Sequence, residues 1–269
     1  MSFSAFAEQS VRIAVGRFQA EVQIKGQDLK IQPMDLPAFT ARSGIHCQPA
    51  KEGFRCDGKL LLTDKLRITS SERLFLKNHE YRRELELISR EHQNKPEILV
   101  VHPLPLEEYL VGIVSSEVPA SWPMEALKAQ AIAARTFALW KKYQRIDLPY
   151  HMEASVLDQV YSGADHEYDT ARKAVRKTYG EILTHHHRPI HAYFHSTCGN
   201  HTESAQEGWG MRLSYLPGSN CGHCNKSNRH RWEAEIPSKT INKAFRKLLG
   251  EPVREMKIVS RSKTGRMKK

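Results

Sequence analysis

The chain has 269 residues, 40% apolar and 8% aromatic, enough for one large or two small packed domains, which excludes a disordered polymer. Its formal charge is +11, yet residues 239–269 hold 11 Lys/Arg against Glu251 and Glu255, so the rest of the chain carries only about +2. Basic and aromatic residues do not interleave outside that tail, which argues against a nucleic-acid binder, and no run of 18 apolar residues offers a transmembrane helix.

The opening "SAFAEQ" has the small-x-small pattern of a cleavage site, with Ala5 and Ala7 before Glu8, although no apolar core precedes residue 10. Residues 1–9 are therefore read as the remnant of an export signal. From Ser10 to Gln32, "SVRIAVGRFQAEVQIKGQDLKIQ" alternates apolar and polar residues around a Lys-Gly turn, the pattern of half-buried antiparallel strands. Residues 33–95 mix Pro, Gly and charge clusters with short strand-like pieces, and are expected to form a small inserted subdomain. Within them Cys47 and Cys56 have eight residues between them and are suited to a disulfide in an oxidising compartment.

"EILVVHPLPLEEYLVGIV" predicts a buried strand, a Pro-punctuated turn and a short helix from near Leu106. After it comes "SSEVPASWPMEALKAQAIAARTFALW". Ser121 is the expected N-cap of a long helix, with Pro123 in the first turn and Glu125 near the positive helix end. From Met124 to Tyr143 there is neither Gly nor Pro, and six alanines leave little bulk, so this is a central helix that neighbouring backbone can approach closely. Next, "TARKAVRKT" reads as an amphipathic helix and "GEILTHHHRPIHAYFHS" as a hairpin turning at the histidine run. The fold class is α+β: an antiparallel β-rich domain around a central alanine-rich helix, spanning residues 10–269 and including the inserted subdomain.

Three elements carry chemistry. Glu117 in "SSEVPASWP" is either a plain loop glutamate or an acid set against the apolar wall of Trp122, a setting in which a carboxyl can keep a proton for a leaving glycosidic oxygen. "DQVYSG", residues 158–163, has amide, hydroxyl and aromatic groups that suit a sugar groove and equally suit a strand edge and turn. Finally "HSTCGNHTE" and "CGHC" place Cys198, Cys221 and Cys224 near His195, His201 and His223. This spacing fits a tetrahedral zinc site, against the alternative of a disulfide with one free thiol. Arg135, on the small-residue helix, needs a carboxylate or carbonyl partner if buried, and either orients Glu117 or another acid or forms a structural ion pair.

The stretch "LEEYLVGIVSSEVPASWPMEALKAQAIAARTFAL", with "DQVYSG", "PIHAYFHSTCGNHTE", "GWG", "SYLPGSNCGHC" and "RHRWEAEI" in that order, resembles the stage II sporulation protein D family, also described as an amidase-enhancer or LytB-like domain. The resemblance implies action on peptidoglycan by a lytic transglycosylase with Glu117 as acid/base, or else enhancement of a partner N-acetylmuramoyl-L-alanine amidase. It implies substrate contacts among Gln159, Tyr161, Ser121 and Arg135, and a structural zinc on Cys198, Cys221 and Cys224 with His195 as the first choice of fourth ligand, followed by His201 and His223. It implies an extracytoplasmic location and more chain after "MKIVSRSKTGRMKK", which reads as a strand, a Thr-Gly turn and a returning strand.

Overall fold

The computed structural model describes residues 9–268; Ala5 and Ala7 of the cleavage-site pattern lie outside them. The chain divides into two compact units, one ending at Phe194 and the other beginning at His195.

The first unit opens with β1 (Ser10–Phe18), β2 (Val22–Lys25), β3 (Leu29–Pro33), β4 (Phe39–Ala41), β5 (Gly44–Ala50), β6 (Gly53–Cys56) and β7 (Lys59–Leu61). It continues with β8 (Lys65–Thr69), β9 (Leu74–Leu76), β10 (His79–Tyr81), β11 (Glu84–His92) and β12 (Lys95–Pro105). Period-two patterning builds these strands: Leu29 and Ile31 are buried while Lys30 and Gln32 are exposed, and Leu66 and Ile68 repeat the pattern in β8. With β13 (Met152–Glu153) they form a seven-stranded sheet ordered β13-β1-β12-β11-β8-β3-β4 and a six-stranded sheet ordered β10-β9-β2-β5-β6-β7. β12 lies between β1 and β11, and its run Ile98–Val101 is apolar throughout because both faces are covered.

Residues 33–95 are not an inserted subdomain. β8 and β11 are interior strands of the same sheet as β1 and β12, and Ile45, Phe54, Leu66 and Leu87 join Val11 and Ile13 in one core. Strand pairing distant in sequence interleaves the segment with its flanks, which composition does not reveal. Within it, Cys47 and Cys56 are cross-strand partners on β5 and β6 and form a disulfide.

Three helices follow on this base: α1 (Leu106–Glu117), α2 (Met124–Gln144) and α3 (Asp169–Lys177). Leu127, Ala131, Ala134 and Ala138 make the fully buried stripe of α2, which packs on α1 and α3. The N-cap of α2 is Pro123 and not Ser121, which lies exposed two residues before that cap; the Pro123 carbonyl accepts from the N–H groups of Ala126 and Leu127 at 2.9 and 3.2 Å. Two glycines seat "DQVYSG", one against α1 and one against β10. A Cβ on Gly112 would stand 2.8 Å from the Tyr161 ring, and Gly163, at φ +71°, lies against the Glu80 carbonyl where a side chain would collide. The histidine hairpin forms as expected, with β14 (Thr184–His185) and β15 (Arg188–Pro189) joined through His186 and His187 at φ 49° and 61°, the handedness of a two-residue hairpin turn.

The second unit holds α4 (Ala205–Trp209), a 3-10 turn at Cys224–Lys226 and α5 (Ser238–Leu249). Ser204 caps α4 by accepting the Glu207 N–H at 3.2 Å, and Gly250 closes α5 in the left-handed conformation. The expected C-terminal hairpin is reduced to its turn, with Ser262 N–H donating to the Arg266 carbonyl at 2.7 Å and one bridge between Arg261 and Met267.

Candidate functional site

Glu117 is the last residue of α1, and both of its sides are fixed. Tyr168, one residue before α3, donates its hydroxyl to the Val118 carbonyl at 2.7 Å, occupying an acceptor that the helix end leaves open. Thr170 likewise reaches the Ala120 carbonyl at 3.4 Å. On the other side the Val160 N–H donates to Glu117 Oε1 at 3.3 Å, which sets the carboxyl against the "DQVYSG" segment.

The half-buried Glu117 lines a cleft of about 430 Å³ in the first unit. Phe137 and Lys141 of α2 form one wall, Val156, Leu157, Asp158 and Val160 another, and residues 191–194 a third. The wall is layered: the His191 ring stacks on Trp140 with centroids 3.7 Å apart and planes 10° from parallel, and lies 3.8 Å from the Tyr193 ring. Burial and the Lys141 charge push the His191 imidazole down to about 4, so it is neutral near pH 7. Lys141 Nζ sits 5.6 Å from the Phe137 centroid and pairs with Asp158 Oδ1 at 2.5 Å.

Asp158 is spent on structure. Its side chain is 2% exposed, and its other oxygen accepts from Arg145 at 3.1 Å and from the Glu153 N–H at 2.9 Å. It therefore ties the cleft loop to the end of α2.

The expected substrate residues divide differently from the sequence reading. Gln159 and Tyr161 do not line the cleft: both are buried, Gln159 accepting the Tyr109 hydroxyl at 3.0 Å and the Tyr161 hydroxyl donating to His102 Nδ1 at 3.1 Å. They hold the loop from beneath while the alternate residues Asp158 and Val160 face the cleft, as the twofold period of extended chain requires. Arg135 is fully buried and makes a bidentate pair with Glu107, both contacts 2.8 Å, while donating to the carbonyls of Glu181 and Val175. It joins all three helices and touches neither Glu117 nor open cleft. Ser121 and Trp122 are exposed outside the cleft lining, whose apolar wall comes from Phe137, Val156, Leu157 and the aromatic stack. The sequence reading missed Lys141, His191, Tyr193 and Tyr168. The i, i+2 spacing of His191 and Tyr193 was the available signal for two of them.

In the second unit the sulfurs of Cys198, Cys221 and Cys224 lie within 4.8 Å of one another, with Cys198 and Cys224 at 3.3 Å, and all three are free thiols. Gly199 and Asn200 at φ 64° and 78° turn the chain sharply, and Cys221 N–H closes the turn on the Asn200 carbonyl at 2.7 Å. The Asn200 N–H and the Cys198 thiol draw Cys224 down to about 7, while burial and the neighbouring sulfurs push Cys198 up to about 11. His195 is not in this group: it and His223 are exposed, and no histidine joins the three sulfurs among the described residues. His201 Nδ1 is buried without a hydrogen-bond partner among the described residues. The donor set of three converged sulfurs fits a soft divalent metal.

With this geometry established, residues 94–185 match the family model of the stage II sporulation protein, SpoIID. This segment of the chain is similar to SpoIID. The match contains β12, α1, α2, the "DQVYSG" loop and α3, and therefore Glu117 and much of its cleft. The chain is 36% identical to the stage II sporulation protein D of Bacillus subtilis over 163 residues, 54% of this chain and 44% of that protein. An uncharacterised protein of Brachyspira hyodysenteriae is 38% identical over 129 residues, covering 48% of this chain and 35% of that protein. The amidase enhancer of Bacillus subtilis is 37% identical over 107 residues, 40% of this chain and 14% of that protein. The chain thus spans less than half the length of the curated relatives it matches.

Proposed function

We propose that this chain is a peptidoglycan lytic transglycosylase that cleaves the glycosidic bond between N-acetylmuramic acid and N-acetylglucosamine in strands stripped of stem peptides, with Glu117 as acid and base. The observation that carries the reading is the solitary carboxyl: Asp158, the other acid lining the cleft, is committed to Lys141 and Arg145. A hydrolase of the usual kind uses two working carboxylates, whereas a lyase needs one, because the sugar supplies its own nucleophile.

In this mechanism the Glu117 carboxyl gives its proton to the glycosidic oxygen as the bond from the muramyl anomeric carbon to that oxygen breaks. The muramyl C6 hydroxyl oxygen bonds to the same carbon and returns its proton to Glu117. The products are a 1,6-anhydromuramyl end and a free N-acetylglucosamine hydroxyl, with no water consumed. The Val160 N–H orients the carboxyl, and the aromatic wall with Val156 and Leu157 presents apolar surface to the sugar faces.

The three cysteines would hold zinc as a structural cross-link, a reading supported by their convergence, and the zinc would contribute folding energy. The Cys47–Cys56 disulfide supports an extracytoplasmic location. The second reading, a wall-binding activator of an N-acetylmuramoyl-L-alanine amidase, is favoured by the similarity to the amidase enhancer.

Mass spectrometry of products from glycan strands, with and without stem peptides, tests the two readings. Wild type is expected to release anhydromuramyl ends, and Glu117→Gln to lose about 10²–10⁴-fold of the rate with circular dichroism unchanged. If folded wild type releases no glycan fragment but accelerates an added amidase, the activator reading replaces the lyase.

A further inference from the structure

Resting on the glycan-lyase reading, we infer that the cleft requires N-acetylated sugars and rejects strands whose 2-amino groups are free. The cleft lining sets what a sugar 2-substituent can meet. Val156 and Leu157 are 88% and 76% exposed at the cleft rim, a high exposure for adjacent aliphatics with no covering partner in the described unit. Ala192 and Phe194 extend the apolar lining. An acetamido methyl placed on such surface gains hydrophobic contact, and the amide remains neutral.

A free 2-amino group is an ammonium at neutral pH and meets three penalties. Against the aliphatic rim it loses hydration without a partner. The lining cation, Lys141, repels it, and Asp158 is already neutralised by Lys141 and Arg145. Glu117 is then the lining carboxylate left to receive it. Pairing there would occupy the carboxyl that must serve the leaving oxygen. De-N-acetylation therefore loses the rim contact, and an ammonium that reaches Glu117 takes up the acid the reaction needs.

The experiment compares denuded glycan strands in three forms: native, chemically de-N-acetylated, and the same material re-N-acetylated. Cleavage is read as anhydromuramyl product per time, and equilibrium binding of each form is measured on Glu117→Gln. De-N-acetylated strands are expected to be cleaved at least about tenfold more slowly, with the rate restored by re-acetylation. Binding to Glu117→Gln should show the same preference, and Leu157→Asp, which adds an uncommitted carboxylate at the rim, should narrow it. Equal cleavage of native and de-N-acetylated strands overturns the inference while leaving the lyase intact. If no strand is cleaved, the lyase fails, and the binding preference on Glu117→Gln alone then decides this inference: equal binding ends it.

Discussion

The two units of this chain are held together by different means. The first has a contiguous apolar core running from Val11 to Val175, built on two sheets, antiparallel but for the β1–β13 pair, and three helices. In the second, Ala205 and Cys224 are the buried apolar residues among those described, and its strands are reduced to isolated bridges. A region of about 75 residues with so small a core depends on cross-links. If the three sulfurs hold a metal, the cluster would do for its own unit what the packed sheets do for the other, which contains Glu117.

The largest effect expected from this comparison is on the second unit. If the three sulfurs hold zinc, a strong chelator or Cys224→Ser removes a contribution on the order of 10 kcal/mol. Hydrogen exchange should then lose protection around residues 198–230 and keep it in β1, β11 and β12. Unchanged protection after verified metal removal would end the zinc reading.

A smaller effect isolates the ion pair inside the first unit. Arg135→Met leaves Glu107 without its bidentate partner and should cost about 3–5 kcal/mol in thermal or denaturant unfolding. The double variant Arg135→Met/Glu107→Leu should recover most of that loss. Were Arg135 a substrate residue instead, the double variant would regain stability but not turnover.

The smallest effect is acid sensitivity of the same core. His102 is 1% exposed, accepts from Tyr161 and donates to the Arg82 carbonyl, and burial pushes its imidazole from 6.5 down to about 4. His151, accepting the Arg12 N–H, is pushed down to about 4 in the same way. On acidification the unfolded chain takes these protons first, so the stability is fully present above pH 6.5 and is lost as pH falls toward about 4. For His102 this is on the order of 3 kcal/mol. Urea midpoints at pH 7 and pH 4.5 check it, and a flat profile would mean that His102 is not held neutral.

Much of this organisation was legible in the chain. Alternation in "SVRIAV" and "QDLKIQ" marked real strands, the Gly-free and Pro-free run after Pro123 marked α2, and the histidine run marked the hairpin turn, because these are local signals with local causes. The placement of residues 33–95 was not legible because their strands pair with β2, β3 and β12, and such pairing leaves no trace in composition.

Residue order alone marked where chemistry could sit: an acid at Glu117 ahead of an alanine-rich helix, Cys198 with the Cys221–Cys224 pair, and Cys47 and Cys56 suited to a small disulfide loop. Only the tertiary structure decided which neighbours work. Gln159 and Tyr161 face the core while Val160 faces Glu117; Arg135 takes Glu107, 28 residues away; and His195 stays outside the sulfur cluster. Side-chain direction in an extended segment reverses at every residue, and an ion-pair partner is set by helix packing. Neither property is carried by residue type.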